Sequence, residues 1–202
     1  MVECDVQLTR DREVVVFHDA DLKRLGGSAD LLKSLTAADM KSRVGAPTLF
    51  ELLTDPGCPA KVNIELKTDE ARGESGLERE VIKVVRAAKA EHRVLFSSFN
   101  PLSLARMAKL APGIPRGLLV TDEKDAKNKI YLRRMWLGLF AKPHIVHVDQ
   151  SMITPLSLER WSDRHLKVAA WTVNDQRRAA QLSSEGVVSL ITDTLYAKPH
   201  AP

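Results

Sequence analysis

Two acidic residues near the start of the chain, Glu3 and Asp5, are separated by a single position within a short segment of β-forming residues. On a β-strand this spacing turns both side chains to one face and Cys4 to the other. Neighbouring carboxylates on a buried strand repel each other and lose solvation, and a cation between them offsets both costs. The pattern indicates either a cation site or an exposed, frayed end of the chain, and these residues alone do not distinguish the two.

A second polar face is found further along, in the segment Val62-Asn63-Ile64-Glu65-Leu66-Lys67. The side chains of Asn63, Glu65 and Lys67 fall on one face of a strand and are costly in a core unless they contact a ligand or one another. A half-exposed antiparallel strand would also explain the alternation, but the helical patterns on either side favour a parallel, buried strand. With Glu3 and Asp5, Glu65 would form an all-oxygen ligand set that suits Mg²⁺ or Ca²⁺ rather than zinc.

A histidine–aspartate pair, His18 and Asp19, directly follows the apolar run 14–17. Polar residues at the end of a buried strand occupy the position where the active sites of β/α barrels are built. Histidine transfers protons near neutral pH, so His18 is a candidate acid–base group, although a surface histidine without a catalytic role is the commoner case. His144 and His147, at either end of another apolar run, are expected to be structural.

The strands that would position these residues are short apolar runs, most of them followed by a helical pattern. The predicted strands are 2–6, 14–17, 62–66, 94–98, 117–120, 145–148, 168–173 and 189–192. The predicted helices are 37–41, 48–53, 76–90, 102–110, 122–140, 156–164 and 175–184. Strands that alternate with helices and are apolar throughout predict a parallel sheet buried on both faces.

The number of strands falls short of a closed barrel. The run 14–17 follows the first run after a short polar turn, so it is expected to form a hairpin with it. Seven strands of barrel type remain, one fewer than in a (β/α)₈ barrel, and the chain is short against the ~250 residues typical of that fold. Residues 20–59 form a long irregular connection, and loops of that length are usually functional or disordered. Residues 1–202 are interpreted as a single α/β domain.

Composition places the chain among ordinary globular proteins, since 44% of its 202 residues are hydrophobic and 28% are charged. Aromatic residues make up 5% and are not interleaved with basic runs, which argues against a nucleic-acid-binding surface. The net charge of +4 suits a phosphate-bearing ligand among many others. No run approaches the ~20 apolar residues of a membrane span.

Three features of the sequence concern the cellular location of the protein, the redox state of its cysteines and contact with membranes. The chain start shows no signal-peptide pattern, so a cytoplasmic location is expected. Cys4 and Cys58, far apart and without metal-binding spacing, are expected to be reduced. The pattern at 122–140 carries aromatic and basic residues, and a buried amphipathic helix is favoured there over contact with a membrane.

Taken in chain order, these segments resemble the glycerophosphodiester phosphodiesterase family over nearly the whole chain. The resemblance rests on Glu3-Cys4-Asp5-Val6-Gln7-Leu8-Thr9-Arg10-Asp11, Val15-Val16-Phe17-His18-Asp19, Pro47-Thr48-Leu49, Asn63-Ile64-Glu65-Leu66-Lys67, Ser97-Ser98-Phe99-Asn100, Trp171-Thr172-Val173-Asn174 and Ile191-Thr192-Asp193. Each motif alone has moderate specificity, and it is their common order at compatible spacings that makes the resemblance strong.

The resemblance implies a TIM-type (β/α) barrel of the phosphodiesterase superfamily, with residues 20–59 as the family's insertion. It implies a phosphoric diester hydrolase of glycerol and lipid metabolism, which converts small glycerophosphodiesters to glycerol 3-phosphate and an alcohol. At the matching positions, Glu3, Asp5 and Glu65 would be the ligands of a divalent cation, Mg²⁺ or Ca²⁺.

The resemblance also implies roles for four further residues. His18 would be one of two histidines that act as general acid and base, one activating the glycerol 2-hydroxyl to attack phosphorus and the other protonating the departing alcohol. Water would then open the cyclic phosphate. Lys67 would contact the substrate phosphate, and Phe99 and Trp171 would line the pocket.

One departure from the family pattern concerns the start of the chain. Family members normally begin with a further strand that ends in His-Arg-Gly and a helix with Glu-Asn-Thr, and this sequence contains neither motif. The chain is therefore expected to be truncated at its N-terminus and nearly inactive as written, because losing one member of an acid–base pair removes ~10²–10⁴-fold in rate. Either an N-terminal segment is missing from this sequence, or the chain is truly shortened. In the second case an open seam is expected between its first and last strands, which an oligomer would cover.

Two other functions stay open at this point. The chain could be a non-catalytic remnant that binds phosphorylated ligands or a partner. It could also be a related metal-dependent phosphodiesterase that acts on lysophospholipids or sphingomyelin, since the sequence does not determine the width of the pocket.

Overall fold

The computed structural model describes residues 1–68, 76–121 and 141–195, so the predicted helix 122–140 lies outside the described residues. The strands are β1 Val2–Leu8, β2 Val14–Val16, β3 Val62–Leu66, β4 Val94–Ser98, β5 Arg116–Val120, β6 Ile145–Asp149, β7 Lys167–Trp171 and β8 Ser189–Leu190. The helices of the described part are α1 Lys23–Gly26, α2 Ala37–Val44, α3 Leu49–Thr54, α4 Leu77–Ala87, α5 Pro101–Leu110, α6 Pro155–Ser162 and α7 Gln176–Ser184. Short 3₁₀ turns occur at Leu32–Ser34 and Gln150–Met152.

All eight strands belong to one sheet, in the order β2-β1-β3-β4-β5-β6-β7-β8. β2 is antiparallel to β1, and each of the other neighbouring pairs is parallel. The predicted hairpin and the seven parallel strands are thus confirmed. Parallel neighbours need a crossover between them, and the helices that follow the strands supply it. Within the described residues β2 and β8 are the two end strands, so the sheet is open between them.

The connection between β2 and β3 is ordered by a small core of its own. Its buried side chains pack with Val15 and Phe17 of the hairpin, and they are Leu22, Leu32, Leu35, Met40 and Ala46. Thr36 and Thr48 begin α2 and α3 with reciprocal capping boxes to Asp39 and Glu51. Such caps satisfy backbone N–H groups that short helices otherwise leave unpaired.

The two faces of the sheet differ in polarity. Apolar residues of β1, β3 and β4, among them Val6, Ile64 and Phe96, pack against the helices in one core. The opposite face carries Asn63 and Glu65, which are buried although polar. The half-exposed antiparallel alternative for residues 62–66 is therefore wrong: β3 is parallel to both of its neighbours, and every one of its residues is buried.

Two further features concern the cysteines and the lengths of the helices. Cys4 and Cys58 are both free thiols, and Cys4 is buried. Among the described residues, every helix is too short or too polar to cross a bilayer.

Candidate active site

Three carboxylates from two neighbouring strands meet on the polar face of the sheet. Asp5 of β1 is the register partner of Glu65 of β3, and Glu3 lies one pleat earlier on the same face as Asp5. Glu3, Asp5 and Glu65 each offer an oxygen, and these oxygens lie within 4.8 Å of one another. We refer to these three residues as the carboxylate cluster. The structure thus brings the predicted metal ligands together, and their role as ligands stays a prediction.

Burial makes the cluster electrostatically unfavourable without a compensating cation. Burial, followed by the charges of Asp5 and Glu65, raises the pKa of Glu3 to about 8. One oxygen of Glu3, Oε1, is buried and has no hydrogen-bond partner among the described residues. Buried oxygens that lack donors are satisfied by a cation or by protonation. An all-oxygen set with an unpartnered buried oxygen fits Mg²⁺ or Ca²⁺.

Lys67 follows β3 directly and extends into the carboxylate cluster. Its Nζ lies 3.0 Å from Oδ1 of Asp5 and 2.7 Å from Oε1 of Glu65. Burial acts to lower the pKa of Lys67, but the charges of Glu65 and Asp5 outweigh it and raise that pKa above its ordinary value. Lys67 therefore stays positively charged and places an ammonium group beside the carboxylates, where an anionic phosphate would need one.

His18 lies two residues beyond the end of β2. Burial raises the pKa of Glu65, and the charge of Lys67 opposes this rise. The backbone N–H of Phe17, the residue before His18, donates to the carbonyl oxygen of Asp5 at 2.9 Å, which places His18 beside the strand that carries Glu3 and Asp5. The His18 side chain is 61% exposed, and its Nδ1 lies 2.7 Å from Oδ1 of Asp19. Arg24 donates from Nε to the other oxygen of Asp19 at 2.7 Å. Nε2 of His18 makes no hydrogen bond with the residues that the structure describes, and an exposed imidazole nitrogen of this kind can exchange protons with a ligand.

Phe99 and Trp171 come together although their strands are not neighbours. Phe99 follows β4 and Trp171 ends β7, yet their rings meet edge to face with centroids 5.6 Å apart. The contact places both rings on the concave face of a curved sheet. The indole N–H of Trp171 donates to the backbone carbonyl of His147 at 2.9 Å, which holds the ring in place. The pair forms an apolar wall.

Asn63 and Ser97, also on the polar face, each bury an oxygen that has no hydrogen-bond partner within the described part of the chain. His147 lies on this face as well, and burial lowers its pKa to about 4, so its imidazole is neutral at physiological pH. His144 accepts a hydrogen bond from the backbone N–H of Arg116 at Nδ1. His147 is buried within the fold, whereas His144 is exposed and is held by backbone hydrogen bonds with Arg116. The structural role expected for both stays a prediction.

Sequence reasoning overlooked Gln7 and Arg24. The side-chain amide of Gln7 lies within hydrogen-bond distance of three consecutive backbone carbonyls, those of Phe17, His18 and Asp19. Gln7 continues the two-residue spacing of Glu3 and Asp5, and this was the only signal for it in the sequence. Nothing in the local pattern indicates that Arg24 contacts Asp19.

Comparison with known proteins gives a consistent result. The family model described as the glycerophosphoryl diester phosphodiesterase family matches residues 1–196. A protein named glycerophosphodiester phosphodiesterase from Caldanaerobacter subterraneus subsp. tengcongensis is 30% identical over 208 residues, which cover 95% of this chain and 81% of that protein.

Two solved structures share the architecture. One is an Oleispira antarctica phosphodiesterase in complex with the product sn-glycerol-3-phosphate, with a TM-score of 0.72 and 26% identity over 94% of this chain and 79% of that one. The other is a glycerophosphodiester phosphodiesterase from Thermotoga maritima, with a TM-score of 0.67 and 25% identity over 94% of this chain and 80% of that one.

Proposed function

Because the chain belongs to the glycerophosphoryl diester phosphodiesterase family, a family of phosphoric diester hydrolases with a TIM-type (β/α) barrel, we propose that it converts glycerophosphodiesters to glycerol 3-phosphate and an alcohol with the aid of a divalent cation. The observation that carries the proposal is the convergence of Glu3, Asp5 and Glu65 within 4.8 Å. The solved relative that holds sn-glycerol-3-phosphate supports a small-molecule substrate of this kind.

The carboxylate cluster would hold the cation, Mg²⁺ or Ca²⁺. When bound, such a cation supplies positive charge that stabilises the negative charge developing on the phosphoryl oxygens. Lys67, with its Nζ already beside Asp5 and Glu65, would bind the phosphate next to that site. His18 would take up or deliver a proton through Nε2, because Nδ1 is engaged with Asp19. Phe99 and Trp171 would provide the apolar wall of the pocket.

Cation binding is tested without substrate. In protein stripped with EDTA, added Mg²⁺ or Ca²⁺ is expected to raise the melting temperature, because ligands that bind only the folded state stabilise it. The rise should disappear in Asp5→Asn and persist in Asp163→Asn, which changes an exposed carboxylate at the end of α6. An equal rise in both variants would mean that the cation binds elsewhere.

Catalysis is tested by following glycerol 3-phosphate released from glycerophosphocholine. His18→Ala is expected to lower the metal-dependent rate by roughly 10²–10⁴-fold, whereas His92→Ala, at an exposed position, should leave it unchanged. No His-Arg-Gly occurs in these 202 residues. We therefore expect these 202 residues by themselves to hydrolyse glycerophosphocholine slowly, and a rate ordinary for such enzymes would contradict this.

Two alternatives are separated by the same assay. Metal binding with no hydrolysis of any phosphodiester would favour a protein that binds phosphorylated ligands. Faster hydrolysis of lysophospholipids or sphingomyelin than of glycerophosphocholine would indicate a lipid phosphodiesterase. A panel of head groups and acylated substrates decides between them.

The open sheet edge supports a proposal about assembly. β2 pairs only with Val6, Gln7 and Leu8 of β1. Within the described residues, the N-terminal part of β1 therefore has no strand partner on that side. Unpaired edges favour association, and we propose that two copies meet there. Sedimentation over a range of protein concentrations should show dimers, and a monomer at all concentrations would exclude them.

A further inference from the structure

His18 has little packing to hold its side chain. Its side chain is 61% exposed, and the described contact of its ring is the one between Nδ1 and Asp19. Exposed side chains sample several rotamers unless hydrogen bonds restrain them. A histidine that transfers protons must instead present one nitrogen in a defined direction, so its restraint has to come from polar contacts.

The first restraint acts on the imidazole itself. A carboxylate only accepts hydrogen bonds, so Nδ1 of His18 must carry the hydrogen that lies between it and Asp19, which leaves Nε2 as the acceptor. Arg24 donates to the second oxygen of Asp19 and thereby fixes the carboxylate plane. Hydrogen bonds from His18 and then from Arg24 lower the pKa of Asp19, so the acceptor is a carboxylate at neutral pH.

The second restraint acts on the backbone that carries His18. Nε2 of Gln7 lies 3.0 Å from the carbonyl oxygens of Phe17 and His18 and 2.8 Å from that of Asp19. Three consecutive carbonyls thus face one amide group, which donates through two hydrogens. Gln7 lies two residues after Asp5 on β1. The strand that carries two carboxylates of the cluster therefore also holds the segment that carries His18.

We propose that Gln7 and Arg24 are positioning residues that together hold the His18 imidazole in one orientation and one tautomer beside the carboxylate cluster. Gln7 sets the place of the backbone, and Arg24 sets the direction of the ring through Asp19. The inference rests on the proposed function insofar as it assigns proton transfer to His18. The orientation itself is a property of the fold and can be measured without substrate.

Long-range ¹H–¹⁵N spectra of the neutral imidazoles test the proposal, with His18 assigned as the signal missing in His18→Ala. In the wild type the Nδ1–H tautomer of His18 should predominate. Arg24→Leu is expected to lower the ratio of Nδ1–H to Nε2–H by roughly tenfold, the change that a hydrogen bond of ordinary strength produces. Arg24→Lys should restore the ratio, because an ammonium group can still hold Asp19.

Gln7→Glu tests the second restraint, because a carboxylate of the same shape would face three carbonyls and repel them. It should lower the tautomer ratio and also shift the backbone amide signals of residues 17–19. The matched controls are Arg43→Leu and Gln176→Glu. Arg43 makes an exposed 2.7 Å pair with Asp30 in the same β2–β3 connection, and Gln176 is an exposed residue at the start of α7.

The outcomes separate the inference from the function on which it rests. An unchanged tautomer ratio in both Arg24→Leu and Gln7→Glu, or an equal change in the controls, would overturn the positioning roles even if His18→Ala abolished hydrolysis. If the variants show the expected change in tautomer ratio but the wild-type protein hydrolyses no phosphodiester, the positioning roles stand and the proposed function is refuted.

Discussion

Lys67 carries the positive charge that balances two of the clustered carboxylates. Its ammonium lies within 3.0 Å of an oxygen from each of Asp5 and Glu65, and Glu65 is 8% exposed. When a buried carboxylate loses its partner, its charge is left uncompensated. This lowers the free energy of unfolding far more than the same loss at an exposed carboxylate. The residue that would contact the substrate phosphate therefore also stabilises the fold.

Replacement of this lysine tests the balance. In EDTA, Lys67→Met is expected to lower the free energy of unfolding by about 1–3 kcal/mol, since Asp5 and Glu65 then repel each other without a cation. Added Mg²⁺ should stabilise this variant more than it stabilises the wild type, because the ion then provides the missing charge. Urea unfolding with and without Mg²⁺ measures both effects.

The control for this variant is Lys83→Met. Lys83 also contacts a carboxylate, Glu80, at 2.9 Å, but its side chain is 71% exposed. An exposed pair contributes about 0–1 kcal/mol, so this change should have a small effect. Equal losses in the two variants would show that burial of the cluster is not what makes Lys67 important.

The neighbouring strands β5 and β6 approach each other closely at Gly117. Gly117 of β5 is the register partner of Ile145, and the His147 ring lies over it. A Cβ at position 117 would lie 2.6 Å from Nε2 and 2.8 Å from Cδ2 of His147. His147 is 3% exposed and has little room to move aside. Glycine is needed here for space.

Gly117→Ala is therefore expected to destabilise the protein by about 1–3 kcal/mol, as overpacked core substitutions do. Gly113→Ala is the matched control, because a Cβ there would meet no atom of the other described residues within 4 Å. That change should be neutral or slightly stabilising, within about 0.5 kcal/mol. Chemical denaturation of both variants decides, and a smaller cost of Gly117→Ala in a His147→Ala background would identify the ring as the obstacle.

For the whole molecule, the buried titratable groups make stability depend on pH. The pKa of Glu3 is raised from 4.5 to about 8 in the fold. Between these values the folded protein binds a proton that the unfolded chain has released, so this contribution to stability is lost as the pH rises toward 8. His147 acts in the opposite sense: its pKa falls from 6.5 to about 4, so its contribution to stability rises over that range.

The two effects oppose each other below pH 6.5, and only that of Glu3 remains above it. In EDTA, the free energy of unfolding is expected to fall between pH 6.5 and 8, by at most about 1.4 kcal/mol per pH unit from this group. Glu3→Gln should flatten the decline, and Glu13→Gln, at an exposed position of the hairpin turn, should not. Urea unfolding at several pH values in this range measures the slope, and a rising slope would contradict the assignment.

The order of the elements could be predicted from the sequence because each is specified locally. Residues 62–66 and 94–98 were predicted as strands with the bounds that β3 and β4 have in the structure. The hairpin was predictable because only a short polar turn separates its two runs. Glu3 and Asp5 could be assigned to one face because the geometry of a strand repeats every two residues.

What the sequence could not supply was the distance between residues far apart in the chain. Glu65 joins Asp5 because β1 and β3 pair in parallel in one particular register, and a shift of one residue would turn Glu65 to the other face. The tertiary arrangement of the strands and connections determines two further sets of contacts. These are the contacts of Gln7 and Arg24 with the His18 segment, and the contact of Phe99 with Trp171. Local pattern determined which side chains could do chemistry, and only tertiary structure decided which of them meet, because strand register and sheet curvature are set by packing across the whole fold.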